Sequence, residues 1–333
     1  MRYRPLGRAS VEVSEICLGL MYLGLKTDQR EGSRMIDAFL DAGGNFLDTA
    51  NVYGRGLSEE MTGRALAGGK RNRVFLATKV HVRMAEGPNE WGNSRFHILR
   101  QCEQSLRRLQ TDHIDLYQIH RPQPEVPIDE TLRALDDLIH AGKVLYIGTS
   151  TFAAWQIVEA LWLSKALGLN RFVCEQAPYN ILDRRIEREI VPMARTFGIA
   201  LIPWSPLDGG RLTGKYLRDA VPPPGSRFAG TQITEDRHVT SPETWTVLDG
   251  LRALALEKGC AMTALSLAWL MARPGITSPI IGPRDVEQLH QNLACTEVVM
   301  TEEDYQRIDA LVPPGTTTVD HYRAHFGPHP HRV

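Results

Sequence analysis

Three consecutive segments decide the fold of this 333-residue chain: Asp115-Leu-Tyr-Gln-Ile-His120, residues 128–139, and Val144-Leu-Tyr-Ile-Gly-Thr-Ser150. The first and third are largely apolar runs of strand length, whereas the second repeats leucine and isoleucine every three or four residues, the period of an amphipathic helix. A strand, a helix and a second strand in this order predict two parallel strands joined by a crossover helix. One such unit, measured between the strand midpoints Tyr117 and Tyr146, is 29 residues long.

The same unit recurs along most of the chain. Apolar runs occur at eight positions, and six of the seven intervals between their midpoints span 27 to 41 residues, against about 30 for one strand–loop–helix–loop unit. Eight units predict an α/β fold, a closed (β/α)8 TIM barrel, because eight strands with one helix each satisfy the closure rule; an open, doubly wound sheet is the alternative. The midpoints are Leu18, Leu47, Leu76, Tyr117, Tyr146, Cys174, Leu201 and Ile280.

Two further segments complete the predicted architecture. Residues 2–6 and 11–15 flank Gly7-Arg8-Ala9-Ser10, the pattern of an N-terminal hairpin that covers one end of the barrel. The long interval before the eighth strand predicts a long loop after the seventh, proline-rich at first and then polar. We expect residues 1–333 to form a single barrel domain, with residues 313–333 as a C-terminal extension.

Composition and charge argue against several classes of protein. With 38 Lys+Arg against 39 Asp+Glu, the chain lacks the basic excess typical of a nucleic-acid-binding protein. Its longest stretch without a charged side chain is 15 residues, short of the ~20 apolar residues of a membrane span. The five cysteines are scattered without a C-x-x-C pair, which argues against a disulfide framework and a structural zinc site. We therefore expect a cytoplasmic protein with no metal site and no nucleic-acid or membrane partner, of undetermined oligomeric state.

Polar residues follow the apolar runs at the strand ends where a barrel places its catalytic groups. Asp48 ends the second strand and Tyr53 lies in its loop, while Lys79 ends the third strand and His120 the fourth. Neighbouring strands are about 4.8 Å apart, so these side chains can converge. A free tyrosine, with a pKa near 10, is a weak acid, but a nearby ammonium group stabilises its phenolate, and Asp48 keeps Lys79 charged. Each residue alone has an ordinary structural explanation; together they predict a reaction centre.

The motifs that carry these residues form an ordered series over nearly the whole chain. They include Asp48-Thr-Ala-Asn-Val-Tyr53-Gly54, Phe75-Leu-Ala-Thr-Lys79, Asp115-Leu-Tyr-Gln-Ile-His120, Gln176-Ala-Pro-Tyr-Asn180, Trp204-Ser-Pro-Leu207 and Ile281-Gly-Pro-Arg284. This series resembles the aldo-keto reductases. The resemblance implies a (β/α)8 barrel that binds NADP(H) across its mouth and reduces an aldehyde or ketone to the alcohol by hydride transfer. It also implies that Tyr53 donates the proton, that Lys79 and Asp48 tune it, and that His120 orients the carbonyl group.

The resemblance implies cofactor contacts at the remaining strand ends. Ser150 and Gln176 hold the nicotinamide carboxamide and Trp204 stacks on its ring, while Thr151 stands where the family usually has asparagine. Arg284 begins a helix, a position suited to a 2′-phosphate, so NADPH is expected to be preferred over NADH. Residues 207–240 are expected to form a cofactor-clasp loop. The remaining cofactor positions are Gly19, Met21, Ser205, Pro206, Leu207, Gly209, Lys215, Arg227, Gly282, Gln288 and Asn292.

The substrate is the least determined part of the prediction. Further stretches, such as Ser150-Thr-Phe-Ala-Ala-Trp155, resemble a bacterial branch of the family that includes reductases tailoring deoxysugars. The pocket residues expected from this resemblance are Tyr22, Trp91, Arg121 and Trp155, which suit a sugar-like or aromatic carbonyl compound. One alternative is an NADP(H)-binding redox sensor or regulatory subunit with little catalysis. A more distant alternative is a barrel hydrolase that uses two carboxylates, but the strand ends offer Asp48 without an obvious second acid.

Overall fold

Eight parallel strands form the centre of the computed structural model, which describes residues 1–218, 220–229 and 241–319. A two-stranded antiparallel hairpin, β1 (Tyr3–Pro5) and β2 (Glu12–Ser14), precedes them. The eight strands, each containing one predicted midpoint, are β3 (Cys17–Gly19), β4 (Phe46–Asp48), β5 (Phe75–Val80), β6 (Ile114–Ile119), β7 (Val144–Ser150), β8 (Phe172–Gln176), β9 (Ala200–Leu201) and β10 (Ile280–Ile281). In space, β10 lies beside β3 and the others follow in chain order to β9.

The sheet is closed by backbone hydrogen bonds between its two ends. The amide of Thr277 donates to the carbonyl of Leu201 (2.8 Å), and the amide of Ile280 donates to the carbonyl of Pro203 (2.8 Å). These bonds join the segment of β9 to the segment of β10, so every strand has a neighbour on both sides. The predicted (β/α)8 barrel is confirmed, and the open sheet is excluded.

Helices cover the outside of the barrel. Predicted segment 128–139 is a helix, as is the one after β3, where Asp28 caps the first turn by accepting a hydrogen bond from the Glu31 amide (2.9 Å) and Met35 and Phe39 are buried. The helices are α1 (Gln29–Asp41), α2 (Leu57–Ala65), α3 (Arg95–Leu109), α4 (Ile128–His140), α5 (Ala154–Leu167), α6 (Ile190–Phe197), α7 (Pro242–Glu257), α8 (Met262–Met271), α9 (Val286–Leu293) and α10 (Glu302–Leu311).

The long interval between β9 and β10 holds more than the predicted loop. Helix α8 is the crossover helix of this unit and is buried on all sides, whereas α7 is an additional helix that packs against α10. Ser241 caps α7 and Pro242 stands in its first turn, which is a helix-start signal in the sequence. Residues 219 and 230–240 of the predicted clasp loop, and residues 320–333 of the predicted C-terminal extension, lie outside the described residues.

The hairpin lies at the end of the barrel where the strands begin. Leu6 and Val13 are fully buried and belong to the same apolar cluster as Phe46 and Phe75, the first residues of β4 and β5. The predicted hairpin is therefore confirmed, and the carboxyl ends of the strands open at the opposite end. Within the described ranges no single helix is long and apolar enough to cross a membrane; α7 and α8 pass that test only as a pair, bent by 96°.

Candidate active site

Asp48 and Lys79 form a buried ion pair at the open end of the barrel. Register pairs Asp48 with Ala77, so Lys79 lies two residues further along β5 on the same side of the sheet. Its Nζ donates hydrogen bonds to Asp48 Oδ1 (2.5 Å) and to the carbonyl of Thr49 (2.8 Å), and only 1% of the lysine surface is exposed. Burial by itself lowers the pKa of Lys79, but the opposite charge of Asp48 and the Tyr53 oxygen outweigh it, so the pKa lies above its ordinary value.

Tyr53 meets this pair from the loop after β4. Lys79 Nζ lies 3.4 Å from its hydroxyl and 5.1 Å from its ring centre. A tight turn follows the tyrosine, in which Gly54 and Gly56 have φ values of 58° and 97°. The glycines therefore supply the left-handed conformations that let the chain turn there. The ammonium group of Lys79 therefore faces the hydroxyl oxygen of Tyr53.

His120 completes the predicted group of four. It follows β6 directly, and its ring meets the Tyr53 ring edge-on, with 5.8 Å between centres. Burial, followed by the charges of Lys79 and Arg121, holds the pKa of His120 well below its ordinary value, so the imidazole is neutral. Its Nδ1 is buried and has no hydrogen-bond partner among the described residues. A neutral imidazole with an unpaired nitrogen can donate to or accept from a ligand oxygen.

Two glutamine side chains lie beneath Asp48. Gln176 Nε2 donates to Asp48 Oδ2 at 2.7 Å, and Gln118 Nε2 approaches the same oxygen at 3.3 Å. Gln118 was not among the predicted site residues. The sequence does contain a signal for it, because Gln118 lies two residues before His120 in β6 and strand alternation puts both on the inner side.

The predicted nicotinamide-binding residues come together beside the four central side chains. Ser150 and Gln176 are paired in the β7–β8 register, and the amide of Trp204 donates to the carbonyl of Ala177 (3.1 Å), which places the Trp204 backbone beside the end of β8. Arg121 Nη1 donates to Thr151 Oγ1 (2.9 Å) and its guanidinium carbon lies 5.9 Å from the Trp204 ring centre. Arg121, predicted for the substrate pocket, thus contacts the side where the carboxamide is expected.

The predicted phosphate-binding residues cluster after β9 and β10. Gly209 and Gly210 lie against Arg227 and Lys215: a Cβ built on Gly209 lies 3.3 Å from Arg227 Cδ, and one on Gly210 lies 2.8 Å from Lys215 Nζ. Arg284 Nη1 donates to the Gly225 carbonyl (2.6 Å). None of these three cations forms a salt bridge with another described residue. Gly209, which lies against Arg227, belongs to the segment that also carries Ser205, Pro206 and Leu207, and this donor set fits a diphosphate and a further phosphate.

The remaining cofactor positions surround this cluster. Gly19 pairs with Asp48 in the β3–β4 register, and a Cβ there would lie 2.7 Å from Ile280 Cγ2, so the site needs glycine. Met21 is partly exposed in the next loop. Gln288 accepts a hydrogen bond from the Arg284 amide (3.2 Å), which holds the start of α9. The last two predicted cofactor residues are Asn292, which lies on α9, and Gly282, which follows β10.

The four predicted substrate-pocket residues do not form one group. Tyr22 lies against Gly282, with the Arg284 guanidinium carbon 5.0 Å from its ring centre, on the phosphate side of the mouth. Trp91 meets the ring of His81 edge-on in the loop after β5. Trp155 is 62% exposed near the start of α5, and no contact among the described residues joins it to the four central side chains. Arg121, which directly follows His120 and contacts Thr151, is the predicted pocket residue that lies beside the reaction centre.

Comparison with known proteins agrees with this geometry. The model of the Aldo/keto reductase family matches residues 15–313. The chain is 39% identical to a Bacillus subtilis (strain 168) protein named uncharacterized oxidoreductase YrpG, over 97% of this chain and 99% of that protein. It is 35% identical to a probable voltage-gated potassium channel subunit beta of Oryza sativa subsp. japonica (97% and 100%) and 32% identical to aldo-keto reductase dtxS3 of Metarhizium robertsii (94% and 91%). The chain therefore belongs to the aldo/keto reductase family, whose members are oxidoreductases that act on carbonyl groups and generally use nicotinamide cofactors.

Proposed function

We propose that this protein reduces an aldehyde or ketone to the alcohol with NADPH, and that Tyr53 donates the proton. The observation that supports this most directly is the position of Lys79 Nζ between Asp48 Oδ1 and the Tyr53 hydroxyl. A buried ammonium group held by a carboxylate is the arrangement that makes a neighbouring phenol a usable acid at neutral pH.

A bound nicotinamide supplies the hydride. Ser150, Gln176 and Trp204 would hold it at the mouth of the barrel, and neutral His120 would hydrogen-bond the substrate carbonyl through a ring nitrogen. Tyr53 protonates the carbonyl oxygen, and the charge left on its own oxygen is stabilised by Lys79.

The basic cluster of Lys215, Arg227 and Arg284 supports the preference for NADPH over NADH. Burial, followed by the charge of Arg284, lowers the pKa of Lys215, so an anion bound between Lys215 and Arg284 would offset both effects. The cofactors differ only in the 2′-phosphate, which adds a dianion and three acceptor oxygens. Arg284, at the start of α9, is the group that we assign to it.

The proposed substrate class is based on Arg121, which directly follows His120, and on Trp91 in the loop after β5. Arg121 offers hydrogen-bond donors and Trp91 a partly exposed aromatic face, so we propose a hydroxylated, sugar-like or aromatic carbonyl compound. A panel of such compounds, assayed by loss of NADPH absorbance, gives the substrate directly.

Tyr53→Phe tests the proposed role of the tyrosine. We expect kcat to fall at least ~100-fold, because the proton donor is lost, with NADPH affinity within twofold of the wild type. Single-wavelength NADPH oxidation and fluorescence titration measure the two quantities. Full turnover in this variant would show that Tyr53 is not the proton donor.

A second candidate function is that of a cofactor-binding regulatory subunit with little catalysis. It is favoured by the rice relative and by two relatives of 35% and 34% identity, from Arabidopsis thaliana and Schizosaccharomyces pombe, which also bear the name of a potassium channel subunit beta. Tight NADPH binding without turnover of any carbonyl compound in the panel would favour this candidate over the reductase.

A further inference from the structure

Residues 149–152, which comprise the last two residues of β7 and the two that follow it, carry two of the predicted nicotinamide contacts and are strained. Thr151 has a φ of 62°, a left-handed conformation that a β-branched side chain strongly disfavours. Its neighbours are Ser150, whose hydroxyl donates to the Gln176 carbonyl (3.2 Å), and Phe152, which is buried. Such a conformation persists only where surrounding contacts hold it in place. We call residues 149–152 the carboxamide turn.

A buried carboxylate accepts hydrogen bonds from both sides of the strained residue, Thr151. Glu175, which precedes Gln176 in β8, is fully buried. Its Oε2 accepts a hydrogen bond from Thr149 Oγ1 (2.5 Å), and its Oε1 accepts one from the amide of Phe152 (3.1 Å). The two donors lie on either side of Thr151 in the chain. One carboxylate therefore fixes both ends of the carboxamide turn.

We propose that Glu175 is a positioning residue, whose carboxylate holds the carboxamide turn in the left-handed conformation and so aims the Ser150 and Thr151 hydroxyls at the nicotinamide carboxamide. The inference rests on the proposed function, because it assigns Glu175 a part in binding the cofactor of that reaction. It also explains how threonine is held at position 151. Arg121 donates a hydrogen bond to the Thr151 hydroxyl (2.9 Å), and Glu175 accepts one from the next backbone amide, that of Phe152.

The charge of this carboxylate depends on pH in the working range. Burial raises the pKa of Glu175 to about 7, although the Thr149 hydroxyl, the Phe152 and Thr151 amides and the Arg121 charge oppose the rise. Arg121 is the charged group that faces it, and the adjacent Cys174 thiol is neutral because burial raises its pKa well above the ordinary value. Protonation of Glu175 turns one of its acceptor oxygens into a donor. That donor faces the Thr149 hydroxyl and the Phe152 amide, which are themselves donors. The carboxamide turn is therefore held less firmly below pH 7.

The primary test compares Glu175→Ala in two backgrounds. In the wild-type background we expect the NADPH Kd to rise at least tenfold. In the T151G background, where glycine adopts the left-handed conformation without strain, the same substitution is expected to raise Kd less than threefold. The matched control is E15A: Glu15 is also buried and bonded, to Arg2 and Arg4, but lies at the hairpin end, and its loss should leave Kd unchanged. Equal effects of E175A in both backgrounds, or none in either, would overturn the proposal.

The conservative variant E175Q covers the case in which E175A does not fold. Glutamine keeps an acceptor for the Phe152 amide, and its amide group can donate to the Thr149 hydroxyl, so at pH 8 we expect a Kd within threefold of the wild type. Between pH 8 and pH 6 the Kd of the wild type for NADH should rise severalfold, and that of E175Q should not; NADH is used because the 2′-phosphate of NADPH itself titrates near pH 6. Parallel pH profiles of the two proteins would contradict the proposal.

The two proposals fail in different ways. Full turnover in Y53F would show that Tyr53 is not the proton donor. The effect of Glu175 on cofactor affinity would still be measured by Kd. Loss of turnover in Y53F together with an unchanged Kd in E175A removes only the role of Glu175.

Discussion

Two buried carboxylates at the mouth of the barrel are compensated in different ways. Asp48 is paired with Lys79 at 2.5 Å, whereas Glu175 accepts hydrogen bonds from neutral groups and forms no ion pair within the described part of the chain. A buried charge without an ion pair costs free energy, and the raised pKa of Glu175 expresses that cost. Asp48 keeps Lys79 charged, whereas the Glu175 carboxylate lowers the stability of the folded protein at neutral pH while it holds the carboxamide turn.

This cost is measurable as a dependence of stability on pH. The pKa of Glu175 is about 7 in the folded state and 4.5 for an ordinary glutamate, so between these values the folded protein binds one more proton than the unfolded chain. The contribution of Glu175 to the free energy of unfolding is therefore largest below pH 4.5 and falls as the pH rises to 7, by about 3 kcal/mol. From pH 5 to pH 8, urea denaturation should show the wild type losing more stability than E175Q, by roughly that amount. Equal losses in the two proteins would show that Glu175 titrates normally.

At the scale of elements, the strands could be predicted from the sequence because parallel strands are buried on both faces and form short apolar runs. Helix α7 was missed because it follows a proline-rich stretch interpreted as one long loop, although Ser241 and Pro242 mark its start. Asp48, Lys79 and His120 could be found because each lies at the end of a strand or directly after one, and Tyr53 because it lies in the loop that follows β4. Gln118 and Glu175 could not be assigned a role in the same way, because their partners, Asp48 and the carboxamide turn, belong to other strands.

The loop after β9 contributes two of the three cations of the phosphate cluster, and its described part is joined to α9 through Arg284 and the Gly225 carbonyl. Lys215, Arg227 and Arg284 form no salt bridge with another described residue, so phosphates give them the partners that they lack. We therefore expect NADPH to slow amide hydrogen exchange in residues 207–218 and 220–229, about tenfold more than NADH does at saturating concentrations.

Arg284→Ala is the control for this exchange experiment. Without Arg284 the 2′-phosphate has no assigned partner, so NADPH and NADH should protect the loop equally. Equal protection by the two cofactors in the wild type would show that the loop does not respond to the 2′-phosphate.

At the scale of the whole molecule, the two ends of the barrel have different tasks. At the hairpin end Leu6 and Val13 are buried against the first residues of the strands, beside the ion pairs of Glu15, while the open end holds the predicted catalytic and cofactor-binding side chains. Packing at one end and chemistry at the other are separated by the length of the strands, as is usual for barrels of this kind. Stability and activity should therefore respond to different substitutions.

Leu6→Ala tests this separation. Leu6 is fully buried and its truncation leaves a cavity at the hairpin end, so we expect the free energy of unfolding to fall by about 3 kcal/mol in urea denaturation. Because no atom of the reaction centre is touched, kcat at a temperature well below the unfolding transition should stay within twofold of the wild type. Y53F is the opposite case: we expect kcat to fall, while the free energy of unfolding measured in urea changes by less than ~0.5 kcal/mol. If L6A lowered kcat as strongly as Y53F while remaining folded, packing at the hairpin would affect the geometry of the open end. The two ends of the barrel would then not be independent.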